Sequence, residues 1–388
     1  MSPDDPLLFD VHVSHLNTGM RGIPVGTCRT SSVSKDKGVS YGGYPVAELA
    51  RLSSEQVIHL MLHKELPHGS KETAFANELR TRQQVPPEVF KLLAQLPRDA
   101  HPMLWFSTGI MLLGMADSRG DWEEDSLNLI ARVSGLVAAI FRLREGWGDP
   151  IPPRDDLDYA ANFAHMLGAP DATDRLGDVL RMFHVLHMDH GGGNLSTFTG
   201  KAVASGHAGI YASLSAAMNA LYGPLHGGAN EKCLAFVKSV GSTDKAEVEA
   251  YARKTLDDGG KIFGFGHAVL RKEDPRAFVQ YDYANEHFAD IPLVQTALAL
   301  REVVPKILKE IPKIQNPYPN VDAVSGSLLT AAGLPQAEYY TVLFGWSRVV
   351  GIAAQIIDER TVLRNGKGVP IYRPRFIAEG QPERHLQS

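Results

Sequence analysis

Three segments of this 388-residue chain gather histidine, glycine and charge in ways that core packing does not require. The first reads His184-Val-Leu-His187-Met-Asp189-His190-Gly-Gly-Gly-Asn194. Histidines three residues apart can share a helix face and bind a metal, which keeps a metallohydrolase built on His184, His187, Asp189 and His190 among the readings. The alternative is that His184 and His187 are core or supporting groups. The second segment, Tyr222-Gly-Pro-Leu-His226-Gly-Gly-Ala-Asn230, follows a run of small residues and precedes a helical pattern over Glu231 to Val240. His226 therefore stands at or just before a helix N-terminus, where the unpaired amides and the positive dipole end disfavour imidazolium. A neutral imidazole there can donate a hydrogen bond to a developing enolate oxygen, although a purely structural histidine in a glycine turn fits as well. In the third, Phe263-Gly264-Phe265-Gly266-His267-Ala-Val-Leu-Arg271-Lys272-Glu-Asp274-Pro-Arg276, glycines let the backbone approach a ligand and cations follow a histidine. That pattern suits phosphates or carboxylates, or a solvated basic turn.

Two further residues stand out by placement. Arg348 lies in the otherwise charge-free run Val342 to Ile357. A buried guanidinium is costly unless it meets a carboxylate or a bound anion, and a ligand is the favoured partner here. Asp322 follows Asn316-Pro-Tyr-Pro-Asn-Val and leads into an apolar helix. By placement alone it reads as an N-cap before it reads as a catalytic base.

The elements that must hold these residues are helical. From Leu129 to Phe141 the apolar residues fall at i, i+1, i+4, i+7, i+8, i+11 and i+12, one face of a helix. The same reading applies to Ser54–Leu62, Pro87–Leu96, Leu104–Met115, Leu157–Met166, Ile210–Leu221, Thr243–Asp257, Ile291–Ile311 and Tyr339–Glu359, with glycine and proline between them. Strand signals are confined to Val25–Ser31 and Val39–Tyr41, so the expected fold is all-α with at most a minor N-terminal β hairpin. Gly223-Pro224 closes one helix and Gly333-Leu-Pro335 opens a later segment, leaving room for a smaller domain inserted in a larger one.

Composition narrows the class further. With 44% hydrophobic residues the chain can bury a large core, and a net charge of -5 supplies no global field for nucleic acid or anionic membrane. An anionic ligand must be met by a local cluster. Cys28 and Cys233 alone make no disulfide framework or cysteine-rich metal site. The charge-free stretch from Ala202 to Asn230 is broken by glycine, proline and polar residues and reads as an interior helix with its turns, not a membrane span. The acidic Met1–Pro6 opening resembles neither a secretory signal nor a transit peptide, so a cytoplasmic location is expected.

In this order and spacing the segments resemble the citrate synthase family. The resemblance rests on the histidine segment ending in Gly-Gly-Asn194, Gly-Pro-Leu-His226-Gly, Gly-His267-Ala-Val-Leu-Arg271 with Asp274-Pro-Arg276, Pro-Asn-Val-Asp322, Ser347-Arg348 in an apolar helix, and Arg373-Pro374. It extends upstream through His101-Pro-Met103 and Met20-Arg21-Gly22, covers essentially the whole chain, and is nearest the mitochondrial-like branch.

The resemblance implies an acyltransferase of the tricarboxylic acid cycle that condenses acetyl-CoA with oxaloacetate through an enol and hydrolyses citryl-CoA. It makes Asp322 the base, His226 the group that stabilises the enol, and His267 the one that polarises the oxaloacetate ketone. Oxaloacetate would be bound by His190, Arg276, Arg348 and, across a homodimer interface, Arg373. The co-substrate acetyl-CoA would lie along Phe263, Gly264, Phe265 and Gly266, with Arg271, Lys313 and Arg21 near its phosphates, and no tightly bound cofactor or metal is expected. A large domain of residues 1–227 and 334–388 would close on a small one of residues 228–333. Gly191, Gly228 and Val324 depart from the mitochondrial-like pattern without removing a chemical group. The rival reactions are 2-methylcitrate synthesis from propionyl-CoA, which the same residues would serve, the metallohydrolase, and a non-catalytic paralogue.

Overall fold

A computed structural model describes residues 7–267, 269–377, 380, 384 and 385. The acidic Met1–Pro6 opening and Ala268 lie outside the described residues. Sixteen α-helices, three short 3-10 or π segments and a small sheet make up the regular structure among them, and the all-α expectation holds.

The sheet is an antiparallel meander of Ser31–Ser34, Gly38–Tyr41 and Tyr44–Pro45 in sequence order. It differs from the expected hairpin in two ways. A two-residue third strand is added, and pairing begins at Ser31 with Tyr41, so Val25 to Thr30 stay outside the ladder. The polar side chains of Thr30 and Ser31 turn inward instead, for a reason that the site supplies.

Helix ends follow local chemistry. The Asp121 carboxylate caps the Trp122–Glu145 helix by accepting from the amides of Glu123 and Glu124, and Gly146 ends it in the left-handed region. Asn194 caps Leu195–Ser205 through the amide of Thr197. Asp274 caps Pro275–His287, where proline at the first position costs no hydrogen bond. The stretch from Ala202 to Asn230 proves to be the end of one helix, a turn at 206–209 and a second helix, Ile210–Tyr222, packed against the first. Among the described residues two helical stretches, Trp122–Glu145 and Ala337–Val362, are long and apolar enough to cross a membrane by composition, but 83% and 89% of their apolar windows are buried in the protein.

Two packing groups organise the site. The Tyr340–Ile357 helix is buried along almost its whole length and packs on Ser54–His63, Pro102–Asp117, Trp122–Glu145, Leu176–His187, Leu195–Ser205 and Ile210–Tyr222. It comes unusually close to the end of Leu176–His187. A Cβ at Gly351 would stand 2.2 Å from the Met188 carbonyl oxygen, so only glycine allows that approach. The helices Ala229–Val240, Pro275–His287 and Pro292–Lys309 gather around Asp322–Ala331, and Lys245–Asp257 packs behind them on Pro292–Lys309.

Candidate active site

The candidate residues converge where these two groups meet. The Leu176–His187 helix ends at His187, and the next residues carry Asp189 and His190 beneath the Tyr340–Ile357 helix. Asp189 is fully buried and saturated with donors. Its Oδ2 accepts from Thr30 Oγ1 (3.0 Å) and Ser31 Oγ (2.8 Å), and Oδ1 accepts from the His190 amide (2.8 Å). Gln355 Nε2 donates to both oxygens, at 2.9 and 3.0 Å. This requirement turns Thr30 and Ser31 inward.

His190 lies beside His267, ring centroids 5.4 Å apart. Burial holds the His190 pKa well below its ordinary value, and the guanidinium groups of Arg276 and Arg348 press in the same direction. Arg276 is buried against Asp274 in a two-point pair, Nε to Oδ1 at 3.0 Å and Nη2 to Oδ2 at 2.7 Å. Arg348 differs. Its Nε donates to the His187 carbonyl (3.0 Å), its guanidinium lies 4.6 Å from the centre of the Phe344 ring, and among the described residues it forms no salt bridge. Its charge is offset only by the field of Asp189 and of other nearby groups, an arrangement that favours a bound anion.

The two outer histidines have defined proton positions. The amide of Ser196, in the first turn of Leu195–Ser205, donates to His226 Nε2 at 3.2 Å, and Ser196 Oγ lies 2.9 Å from the same nitrogen. Nε2 is therefore an acceptor, which leaves the proton on Nδ1. Burial, aided by Arg348, lowers the His226 pKa to about 4. The expected helix-terminus effect thus comes from a different helix than the one His226 precedes, because its ring reaches back to Ser196. The second histidine is the mirror case. His267 Nδ1 accepts from the amides of Val269 (3.0 Å) and Leu270 (2.9 Å), so its proton is on Nε2, and burial followed by Arg276 lowers its pKa.

Asp322 is the first residue of Asp322–Ala331, and the cap position belongs to Val321 without a side-chain bond. The N-cap reading of Asp322 is therefore set aside. Asn320 Oδ1 accepts the Asp322 amide at 3.0 Å, and the carboxylate has no capping task. Burial pushes its pKa up to about 6, against the opposing fields of Arg276 and Arg348. Gly264 and Gly266 lie in the loop stitched to the lead into this helix. Phe265 bridges Pro319, the Gly266 amide donates to Tyr318 O (2.9 Å), and Asn320 donates to Gly264 O (2.9 Å) and Gly266 O (2.9 Å). Gly264, at φ +84°, sits so close that a Cβ would stand 2.6 Å from Cys233 Sγ and 2.8 Å from the Ala323 Cα.

Other expected residues fall outside this cluster. Arg271 folds back on its own loop, donating to Val269 O (3.0 Å), Leu270 O (2.9 Å) and Gln315 Oε1 (2.8 Å). Lys313 is exposed. Arg21 is exposed and lines a cleft of about 520 Å³ with Gly192, Gly193, Leu195 and Phe198. Arg373 is exposed on the C-terminal tail. Among the departures, Gly191 is at φ +71° and Val324 is fully buried. The groups that sequence reasoning missed are Thr30, Ser31, Ser196 and Gln355, which hold the others and whose signal is long-range with no local motif; Asp274 was quoted only as part of a motif, without its role as the partner of Arg276.

The first histidine pair is structural in its contacts. His184 Nδ1 faces Ser54 Oγ (3.1 Å), His187 Nδ1 donates to the Phe183 carbonyl (2.7 Å), and burial lowers both pKa values to about 3. No three His, Cys, Asp or Glu side chains among the described residues converge at metal-ligand spacing.

Chemically, two neutral imidazoles with opposite tautomers, a carboxyl poised near neutrality and an unpaired buried guanidinium define an acid–base site able to ionise a carbon acid beside a bound anion. The comparisons give this class its family. The model of the citrate synthase C-terminal domain matches residues 19–375. The chain is 39% identical to the mitochondrial citrate synthase of Daucus carota, over 98% of this chain and 85% of that protein. It is 35% identical to the peroxisomal citrate synthase of Saccharomyces cerevisiae, over 95% and 85%. Its fold matches the citrate synthase of Pyrobaculum aerophilum with TM-score 0.83 at 28% identity, over 96% of this chain and 94% of that one. It also matches the Thermoplasma acidophilum enzyme, solved as a ternary complex with carboxymethyl coenzyme A and oxaloacetate, at TM-score 0.82 and 26% identity, over 96% and 98%. The chain belongs to the citrate synthase family, and the expected citrate synthase function in the tricarboxylic acid cycle is borne out.

One expectation is corrected. The relatives from Daucus carota, Citrus maxima and Arabidopsis thaliana are mitochondrial enzymes, which points to a mitochondrial and not a cytoplasmic location. The cytoplasmic reading leaned on the acidic opening, and a low cysteine count, which suits any reducing compartment, did not oppose it. An import address is read apart from the folded enzyme, and cysteine usage separates only oxidising from reducing compartments.

Proposed function

We propose that this site uses acetyl-CoA as its acyl donor, with Asp322 as base and His226 and His267 as the two hydrogen-bond donors. The observation that carries the reading is the pair of backbone-fixed tautomers, Nδ1–H on His226 and Nε2–H on His267, in a site that also holds Asp322, whose carboxyl pKa is pushed up to about 6. A thioester α-proton is weakly acidic. Asp322 can remove it only if a donor meets the thioester oxygen as charge arrives there, and His226 Nδ1–H is that donor. His267 Nε2–H meets the oxaloacetate ketone, whose carbon is attacked by the enol carbon while its oxygen takes up a proton. Water then cleaves the citryl thioester, releasing CoA.

Oxaloacetate is a dianion, and His190, Arg276 and Arg348 form its seat, with Arg373 supplied by the second subunit of a homodimer. The co-substrate lies along Phe263–Gly266, with Arg271, Lys313 and Arg21 serving its phosphates, and no resident cofactor is needed for these steps. The 228–333 domain closes on the 1–227 and 334–388 domain over oxaloacetate, which excludes water until condensation is complete.

Two measurements test this reading. One methylene in an apolar pocket is worth about 1–3 kcal/mol, so acetyl-CoA should exceed propionyl-CoA in kcat/KM by about 10- to 200-fold in release of free thiol with oxaloacetate. A reversed ratio would assign the site to 2-methylcitrate synthesis. For Arg348→Ala the KM for oxaloacetate should rise by at least about 30-fold, the scale of a lost buried charge contact of 2–5 kcal/mol. An unchanged KM would remove Arg348 from the seat.

A further inference from the structure

A buried polar chain runs from the C-terminal tail to His190. At its outer end the Glu359 carbonyl accepts from the Val369 amide at 3.2 Å, and burial, followed by the field of the Glu359 carboxylate, raises the Tyr372 phenol pKa. Tyr372 is itself held by its amide, which donates to Ser205 Oγ at 3.1 Å, and the next residue is Arg373. Inward, Glu359 Oε1 pairs with Lys201 Nζ at 2.8 Å, and Lys201 Nζ donates to Gln355 Oε1 at 3.3 Å. Gln355 Nε2 then donates to both oxygens of Asp189, whose Oδ1 accepts the His190 amide. The four side chains at its centre are buried: Glu359 is 3% exposed, Lys201 5%, Gln355 2% and Asp189 0%.

Chemistry fixes the direction of this chain. Lysine only donates and an ionised carboxylate only accepts, so the amide between them has one productive orientation, oxygen toward Lys201 and nitrogen toward Asp189. A glutamate at 355 would set two carboxylates against each other, and an apolar residue would leave both charges short of a partner. The chain also floors the glycine turn after His190, since a Cβ at Gly192 would stand 3.2 Å from both Gln355 Oε1 and Lys201 Nζ. A buried ion pair alone is weak evidence for stability, but a fully satisfied buried polar network selects one arrangement of the backbone it touches.

We propose that Gln355 is a positioning residue for oxaloacetate: through Asp189 it sets the backbone of His190, and through Lys201 and Glu359 it ties that setting to the tail segment that carries Arg373. This rests on the reading above that His190 and Arg373 bind oxaloacetate. The coupling is read in the full-length enzyme by steady-state kinetics on Gln355→Leu, Glu359→Gln, the double variant and His190→Ala. Gln355→Leu should raise the KM for oxaloacetate about tenfold, with kcat and the KM for acetyl-CoA within about twofold, and Glu359→Gln should do the same more weakly. The double variant should be no worse than Gln355→Leu, because both changes break one chain. A raised KM in His190→Ala beside unchanged values in Gln355→Leu and Glu359→Gln overturns the chain alone. So do effects that simply multiply in the double variant. An unchanged KM in His190→Ala overturns the oxaloacetate reading and the proposal with it. Should Gln355→Leu not fold, the nearly isosteric Glu359→Gln carries the same comparison against His190→Ala.

Discussion

Asp322→Asn should lower condensation by about 10²–10⁴-fold while the protein keeps its fold. The change removes the only carboxylate proposed to take the methyl proton, and general-base catalysis alone is worth about 10²–10⁴-fold. The pH dependence gives a second signature. The base must be ionised, and burial places its pKa at about 6, so the wild-type rate should fall as pH drops through that value. Stability moves the opposite way. A carboxylate whose folded pKa lies above its unfolded value favours the folded state fully below the unfolded pKa, and loses that advantage as pH rises through about 6. The penalty near neutral pH amounts to about 3 kcal/mol, from a shift of roughly two pH units at 1.36 kcal/mol each. Asp322→Asn should therefore match or exceed the wild type in Tm at pH 7.5. A variant that retains turnover, or loses it only by unfolding, would refute the assignment.

For His226→Ala a loss of about 10²–10³-fold in kcat is expected, the scale for removing one preorganised donor from a developing oxyanion. Since the lost contact forms as the enol forms, exchange of the acetyl-CoA methyl protons with deuterated solvent should fall by a similar factor. The KM for oxaloacetate should move little. In the wild type His226 should add no further fall between pH 5 and 8 to the one set by Asp322, because a group titrating at about 4 stays largely neutral throughout that range. Exchange that survives in His226→Ala would move the donor's role to another group.

Much of this site was legible before any coordinates. Periodicity placed the Tyr340–Ile357 helix to within two residues at each end, and the oddity of a charge inside it singled out Arg348. The helices Ser70–Arg82, Leu195–Ser205 and Pro275–His287 were missed. The first two carry weak apolar stripes, and the third starts at a proline that reads first as a turn. The tautomers were not readable, because they depend on where Ser196 and the Val269–Leu270 amides come to lie. Nor was the pairing of Asp274 with Arg276 or of Asp189 with Thr30, Ser31 and Gln355. Side chains 158 to 166 residues apart meet at Asp189, and no window on the sequence contains such a meeting.

The two packing groups divide the chemistry unevenly. Arg276, His267, Asp322 and the glycine loop travel with the Asp322–Ala331 group, whereas His190, Arg348 and the ring of His226 are bonded to the other. Under the proposed closure, oxaloacetate grips cations from both groups and so binds the aligned arrangement better than the splayed one. A ligand shifts such an equilibrium only by its preference for one state, so a thousandfold preference, about 4 kcal/mol, turns a 1:30 minority into a 30:1 majority. Acetyl-CoA, seated mainly on one group, has little such leverage. Substrate order would then be a matter of populations: the keto acid prepays the alignment that the thioester needs, and free acetyl-CoA meets a base that is not yet opposite its donor.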